Sequence, residues 1–140
     1  MVRRFLAVAA GVGLVAGLTA VGHGDKPHPT VKPLAARDMA EKVNGKEAKA
    51  TAVEVTLAPG QAGDPHRHPG PVLGYVLEGE YEWAIDDQPA KVLKAGDTFY
   101  EPAGCLHRVS KNAGTGRTRV LAWVIHPRDA KDLVLPEPKK

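Results

Sequence analysis

The chain has 140 residues, a formal net charge of +3 and a single cysteine. That length suits one domain, which buries roughly two-thirds of its unfolded surface and needs no covalent staple. The lone Cys105 excludes an internal disulfide framework. Setting aside Arg3 and Arg4, which lie in a segment expected to be removed, 17 basic residues face 16 acidic ones. They are scattered, with no Lys/Arg cluster interleaved with aromatics, so no nucleic-acid partner is expected.

Residues 1–22 read as an export signal. Arg3 and Arg4 form a positive start, Phe5 to Val21 is apolar or small apart from Thr19, and Ala20-Val21-Gly22 supplies small residues for a cut before His23. A membrane anchor is the alternative, because the run approaches bilayer-spanning length. Its glycines and small-residue exit favour cleavage, so no stable membrane insertion is expected afterwards. The destination is periplasmic or secreted, by the general secretory route. Arg3-Arg4-Phe5-Leu6 also resembles a twin-arginine signal, though the usual spacer is missing.

Residues 23–45 are polar and broken by Pro27, Pro29 and Pro33. They read as a linker or arm with a short irregular or helical element, one turn or two, near Ala35 to Val43. From there the period becomes two. Val53, Val55 and Leu57 alternate with Ala52, Glu54 and Thr56, the pattern of a half-buried strand. A turn-rich loop, Ala58 to Pro65, leads to a strand region from His66 to Val72 broken at Pro69-Gly70. Tyr75 to Glu78 is a strand, Gly79 a tight bend, and Tyr81, Trp83 and Ile85 alternate beyond it. Asp86-Asp87-Gln88-Pro89 is a hairpin turn. Short strands follow over Ala90 to Lys94, Thr98 to Glu101, Leu106 to Ser110 and Arg119 to Ile125. The barrel is expected over 46–127, and residues 128–140 read as a loose tail. Many short strands with glycine turns describe an all-β sandwich or barrel.

The chemistry lies in the histidines. His66 and His68 sit at i and i+2, which on a strand points both to one face about 7 Å apart and turns Arg67 the other way. His107, just after Pro102-Ala103-Gly104, is the natural third ligand. Three imidazoles leave open metal positions and suit iron, zinc, copper or nickel. One ion bound at 2.0–2.1 Å requires their nitrogens to converge to about 4 Å.

Two motifs around these histidines resemble those of the cupin superfamily. Gly60, five residues, His66-Arg67-His68 and the close Tyr75-Val76-Leu77-Glu78-Gly79 match the first. Gly96, five residues, Pro102-Ala103-Gly104, Cys105-Leu106 and His107 match the second. The resemblance covers about Val53 to Val124 and implies a cupin jelly-roll barrel (double-stranded β-helix) with a metal in its mouth. It departs at two places. Val72, or Leu73 under the alternative spacing, stands where the family has a glutamate ligand, and Lys111 stands where it has asparagine, with Asn112 following. The lost carboxylate implies an all-histidine site like that of the cysteine, diketone and gentisate dioxygenases, or a barrel whose metal affinity has decayed.

The resemblance therefore points to a small quercetin-dioxygenase-like cupin that binds a divalent metal through His66, His68 and His107. Iron(II) is expected first, with zinc, manganese, nickel or copper as alternatives, and a small organic molecule as substrate. Competing readings are a non-catalytic periplasmic cup for sensing or scavenging a ligand or metal, and a metal-assisted isomerase. No general base is identifiable. Homodimerisation through edge strands is expected, since open edges invite pairing. Cys105 reads as a small buried hydrophobe, with a place near the metal as the alternative. Glu78, Glu80 and Glu82 read as a solvated stripe. Tyr75, Tyr81, Trp83, Tyr100 and Trp123 read mostly as core or rim packing, with lining of a ligand pocket in the cup as the alternative, and His126 as a surface residue. His23 and His28 read as incidental linker histidines.

Overall fold

The computed structural model describes residues 27–138. The export signal expected over 1–22, and His23, lie outside the described residues. Among the described residues no helix is long and apolar enough to cross a membrane.

Ten strands run in chain order: β1 (Thr30–Val43), β2 (Lys46–Leu57), β3 (His66–Arg67), β4 (Val72–Glu78), β5 (Glu80–Ile85), β6 (Lys91–Lys94), β7 (Thr98–Glu101), β8 (Leu106–Asn112), β9 (Thr118–Pro127) and β10 (Leu135–Pro136). They form two antiparallel sheets, ordered β1-β2-β9-β4-β7 and β10-β3-β8-β5-β6. This is the all-β, jelly-roll architecture expected, and no helix occurs among the described residues.

Strict alternation makes the core. In β4, Val72, Gly74 and Val76 face inward while Leu73, Tyr75 and Leu77 face out. In β9, Val120, Ala122, Val124 and His126 face inward. With Leu57, Tyr81, Trp83, Ile85 and Phe99 they fill the space between the sheets. The outer face of β4, β7 and β9 keeps Leu73, Tyr75, Tyr100 and Trp123 exposed.

The N-terminal arm departs from expectation. The stretch read as a linker with a helical turn near Ala35 to Val43 is strand β1, paired with β2 from Thr30↔Thr56 to Val43↔Lys46. The cause is Asn44-Gly45, whose φ values of 51° and 75° make the two-residue turn that matches strand twist. The tail departs too. Instead of hanging loose, β10 pairs with β3, Leu135 opposite Arg67 and Pro136 opposite His66.

Candidate metal centre

The site is built where β3 meets β8. His66 and His107 are antiparallel register partners, so their side chains share one face. His68 follows β3 directly, before the Pro69-Gly70 break. Gly70 is required there, because a Cβ would stand 1.8 Å from the Ile125 carbonyl oxygen. The Pro102-Ala103-Gly104 turn aims β8: the Cys105 N–H donates to the Pro102 carbonyl, and the Gly104 N–H donates to the His68 carbonyl at 3.2 Å. That bond ties the two histidine-bearing segments together. Arg67 points away as expected. Its guanidinium pairs with Glu137 at 2.9 Å and donates to the Gly104 carbonyl at 2.8 Å.

The three imidazoles converge. His66 Nε2 and His68 Nε2 are 3.1 Å apart, and one ring nitrogen of each histidine lies within 4.8 Å of the others. The widest spacing slightly exceeds the ~4 Å that one ion imposes, a difference small ring rotations close. His66 Nδ1 donates to the Asp64 carbonyl at 2.8 Å, and His68 Nδ1 donates to the Leu133 carbonyl at 2.6 Å. A carbonyl only accepts, so each Nδ1 carries the proton, and in the neutral ring each Nε2 is a bare lone pair. Two lone pairs at 3.1 Å repel unless a cation lies between them. The donor set therefore fits a divalent metal. Burial lowers the His68 pKa to about 4 against the opposing Leu133 bond. Burial, reinforced by His66 and His68, lowers that of His107 to about 3. Both rings are neutral at pH 7, as metal-binding imidazoles must be.

A fourth group, missed in the sequence, stands beside them. Glu101 ends β7 and is 1% exposed. Its Oε1 accepts from Trp83 Nε1 at 3.1 Å and lies 3.2 Å from His107 Nδ1. Its Oε2 lies 3.6 Å from His68 Nε2 and has no hydrogen-bond partner, alone among buried side-chain polar atoms of the described residues. Burial pushes the Glu101 carboxyl up to about 7 against the Trp83 bond. Tyr81 adds a hydroxyl 3.3 Å from His107 Nε2 and 2.9 Å from Ser110 Oγ. Burial raises the Tyr81 phenol further still, so it stays protonated.

The histidines open onto a cavity of about 350 Å³. Val53, Val55, Val120 and Val124 make one wall, and Leu133 and Val134 of the tail make another. No lysine or arginine is among the described residues that line it.

The other singled-out residues fall elsewhere. Cys105 is half-buried and packs against the core outside the histidine group, its thiol pushed up to about 11 by burial. Glu78 pairs with Arg117 and Glu82 with Lys111 at the surface. Tyr81 lines the cavity and Trp83 lies behind Glu101, while Tyr75, Tyr100 and Trp123 face outward. His28 is exposed at the cavity rim. His126 is not a surface residue: it is 5% exposed and bonds Thr51 Oγ1 at 2.9 Å, because β9 runs on to Pro127 and keeps its inward parity. Asn112 is buried and structural, donating to the Leu57 and Gly116 carbonyls.

Comparison with known proteins agrees with this architecture. No curated protein matches the chain in sequence. A conserved protein with a double-stranded β-helix domain from Klebsiella pneumoniae is similar, with a TM-score of 0.61 at 20% identity over 81% of this chain and 90% of that one. An oxalate oxidase in complex with the substrate analogue glycolate has a TM-score of 0.56 at 24% identity, over 86% of this chain and 63% of that one. A DMSP lyase from Ruegeria pomeroyi has a TM-score of 0.53 at 22% identity, over 64% of this chain and 45% of that one. At these identities the likeness is one of fold. Residues 53–124, just over half of the chain, match the Cupin domain family. The chain belongs to the cupin family.

Proposed function

We propose that this protein is an exported, metal-dependent enzyme of the non-haem Fe(II) dioxygenase type, acting on a small and largely apolar organic molecule. One observation carries the reading: three imidazoles converge at the wall of an apolar cavity. His66, His68 and His107 would hold the ion. Nitrogen donors with open positions and a nearby carboxylate suit iron(II) among the metals that imidazole binds. Bound there, the ion supplies a Lewis-acidic, redox-active centre.

The chain's own residues do the rest. The valine wall and the tail exclude water and favour an apolar substrate body, in a volume at the low end for ligand pockets. The Asp64 and Leu133 carbonyls fix the ring orientations of His66 and His68. Tyr81, protonated and bonded to Ser110, offers a hydroxyl donor beside His107. Without a lysine or arginine among the described lining residues, charge recognition of a dianion falls to the ion alone. An enolisable diketone, a phenol or a thiol fits that wall better. The export reading rests on the composition of residues 1–22.

The test is oxygen uptake by protein reconstituted anaerobically with Fe(II) and offered these three substrate classes. Uptake with one of them, lost in His66→Ala, is expected. Full iron loading with no uptake on any class would refute the oxygenase and favour the sensor or scavenger.

A further inference from the structure

A buried carboxylate with an unpartnered oxygen is costly unless a cation or a donor faces it. Glu101 Oε2 is such an atom. It does not face a lysine or arginine, since no salt bridge joins Glu101 to one among the described residues. It faces His68 Nε2 at 3.6 Å, and that nitrogen is itself a bare acceptor because His68 Nδ1 donates to Leu133. His66 Nε2, 3.1 Å from His68 Nε2, is bare for the same reason. With the carboxyl ionised, acceptors thus gather here with no donor among them.

The spacings match a shared ion. Two donors bound at about 2.1 Å to one metal lie roughly 3.0 Å apart at right angles and roughly 3.4 Å apart at the tetrahedral angle. The observed separations are 3.1 Å between His66 Nε2 and His68 Nε2 and 3.6 Å between His68 Nε2 and Glu101 Oε2. Trp83 holds Oε1 by its indole N–H, which leaves Oε2 aimed at the histidines.

We propose that Glu101 is a metal ligand of this centre, binding through Oε2, so that the site is three histidines and one carboxylate and not an all-histidine site. The carboxylate comes from β7. Its antiparallel register partner on β4 is Val72, which stands at the position of the cupin glutamate. Both residues point inward, and both line the cavity. The charge is delivered to the same wall from the neighbouring strand. An anionic ligand lowers the net charge at the metal by one unit, which favours a neutral or singly charged substrate over a dianion.

This inference rests on metal binding at the histidines, and its test separates the two. Co(II) is titrated anaerobically into the wild-type chain and into Glu101→Gln, which keeps an acceptor for Trp83. Calorimetry gives affinity, visible absorption gives the ligand field, and metal-minus-apo infrared difference spectra give the carboxylate bands. Expected are one Co(II) per wild-type chain, a shifted carboxylate band on binding, and loss of that band in Glu101→Gln. Affinity should fall by more than the ~100-fold that marks the upper range for groups outside the ligand set. Carbon-13 glutamate labelling of the wild type identifies the band as glutamate even if the variant fails to fold. No metal-dependent glutamate band in the wild type would overturn the assignment. So would a Glu101→Gln spectrum identical to wild type, whatever the affinity. No Co(II) binding by the wild type would overturn the metal centre as well.

Discussion

Gly74 is the glycine whose replacement should displace Phe99, a residue that lines the cavity. It lies inward in β4, opposite Phe99 of β7. A Cβ there would meet the Phe99 ring carbons at 1.9, 2.2 and 2.3 Å. Normal carbon contacts are about 3.5–4.0 Å, so the ring would have to retreat by roughly 1.6 Å. It has nowhere to go, because Tyr81 and Trp83 sit with ring centroids 5.7 Å from it. In an ordinary strand conformation Gly→Ala alone would stabilise by about 0.4–1 kcal/mol through the unfolded chain. Here overpacking, typically about 1–3 kcal/mol, outweighs that. We expect Gly74→Ala to destabilise by about 2 kcal/mol, which at m of roughly 2 kcal/mol/M lowers the urea midpoint by about 1 M. Trp83 and Trp123 fluorescence reports the transition. Phe99→Leu should relieve the clash, so the double variant should be more stable than additivity predicts by at least ~1 kcal/mol. A change below about 0.5 kcal/mol, or strict additivity, would refute the packing argument.

The tail and the second buried histidine give two further tests. Removing residues 133–140 takes away the Leu133 carbonyl that orients His68 and the Glu137 carboxylate that pairs with Arg67. Metal affinity by calorimetry should fall about 10–100-fold, and unchanged affinity would mean the tail does not support the site. His126→Ala should cost about 1–3 kcal/mol in urea unfolding, from the lost Thr51 bond and packing, with metal content unaltered. Loss of metal in that variant would make His126 part of the metal site.

Most of the barrel was legible because its strands alternate. Val72 and Val76 in β4, and Val120 and Val124 in β9, carry a period of two that survives without tertiary context. The histidines were legible because i, i+2 spacing fixes a shared face, and the motif around His107 placed it on an adjoining strand. Glu101 was hidden by its charge. Counting by twos from Phe99 puts it inside, but a carboxylate at an inward position reads as an exposed strand end until a partner is visible. His126 lies beyond the expected strand end at Ile125, but β9 runs two residues further and parity from Val124 buries it. Strand β1 is exposed almost throughout and shows no alternation, so its one sequence signal is the Asn44-Gly45 turn. Pairing of β10 involves two residues, one of them a proline, and leaves no periodic trace. Only contact with β3 reveals it.

The central claim is one metal ion per chain, held by His66, His68 and His107. Its most direct test is metal content by mass spectrometry after anaerobic Fe(II) loading and desalting, for the wild type and for His66→Ala combined with His107→Ala. The account predicts one iron per wild-type chain and none retained by the double variant at the same folded yield. Equal metal in both would contradict it.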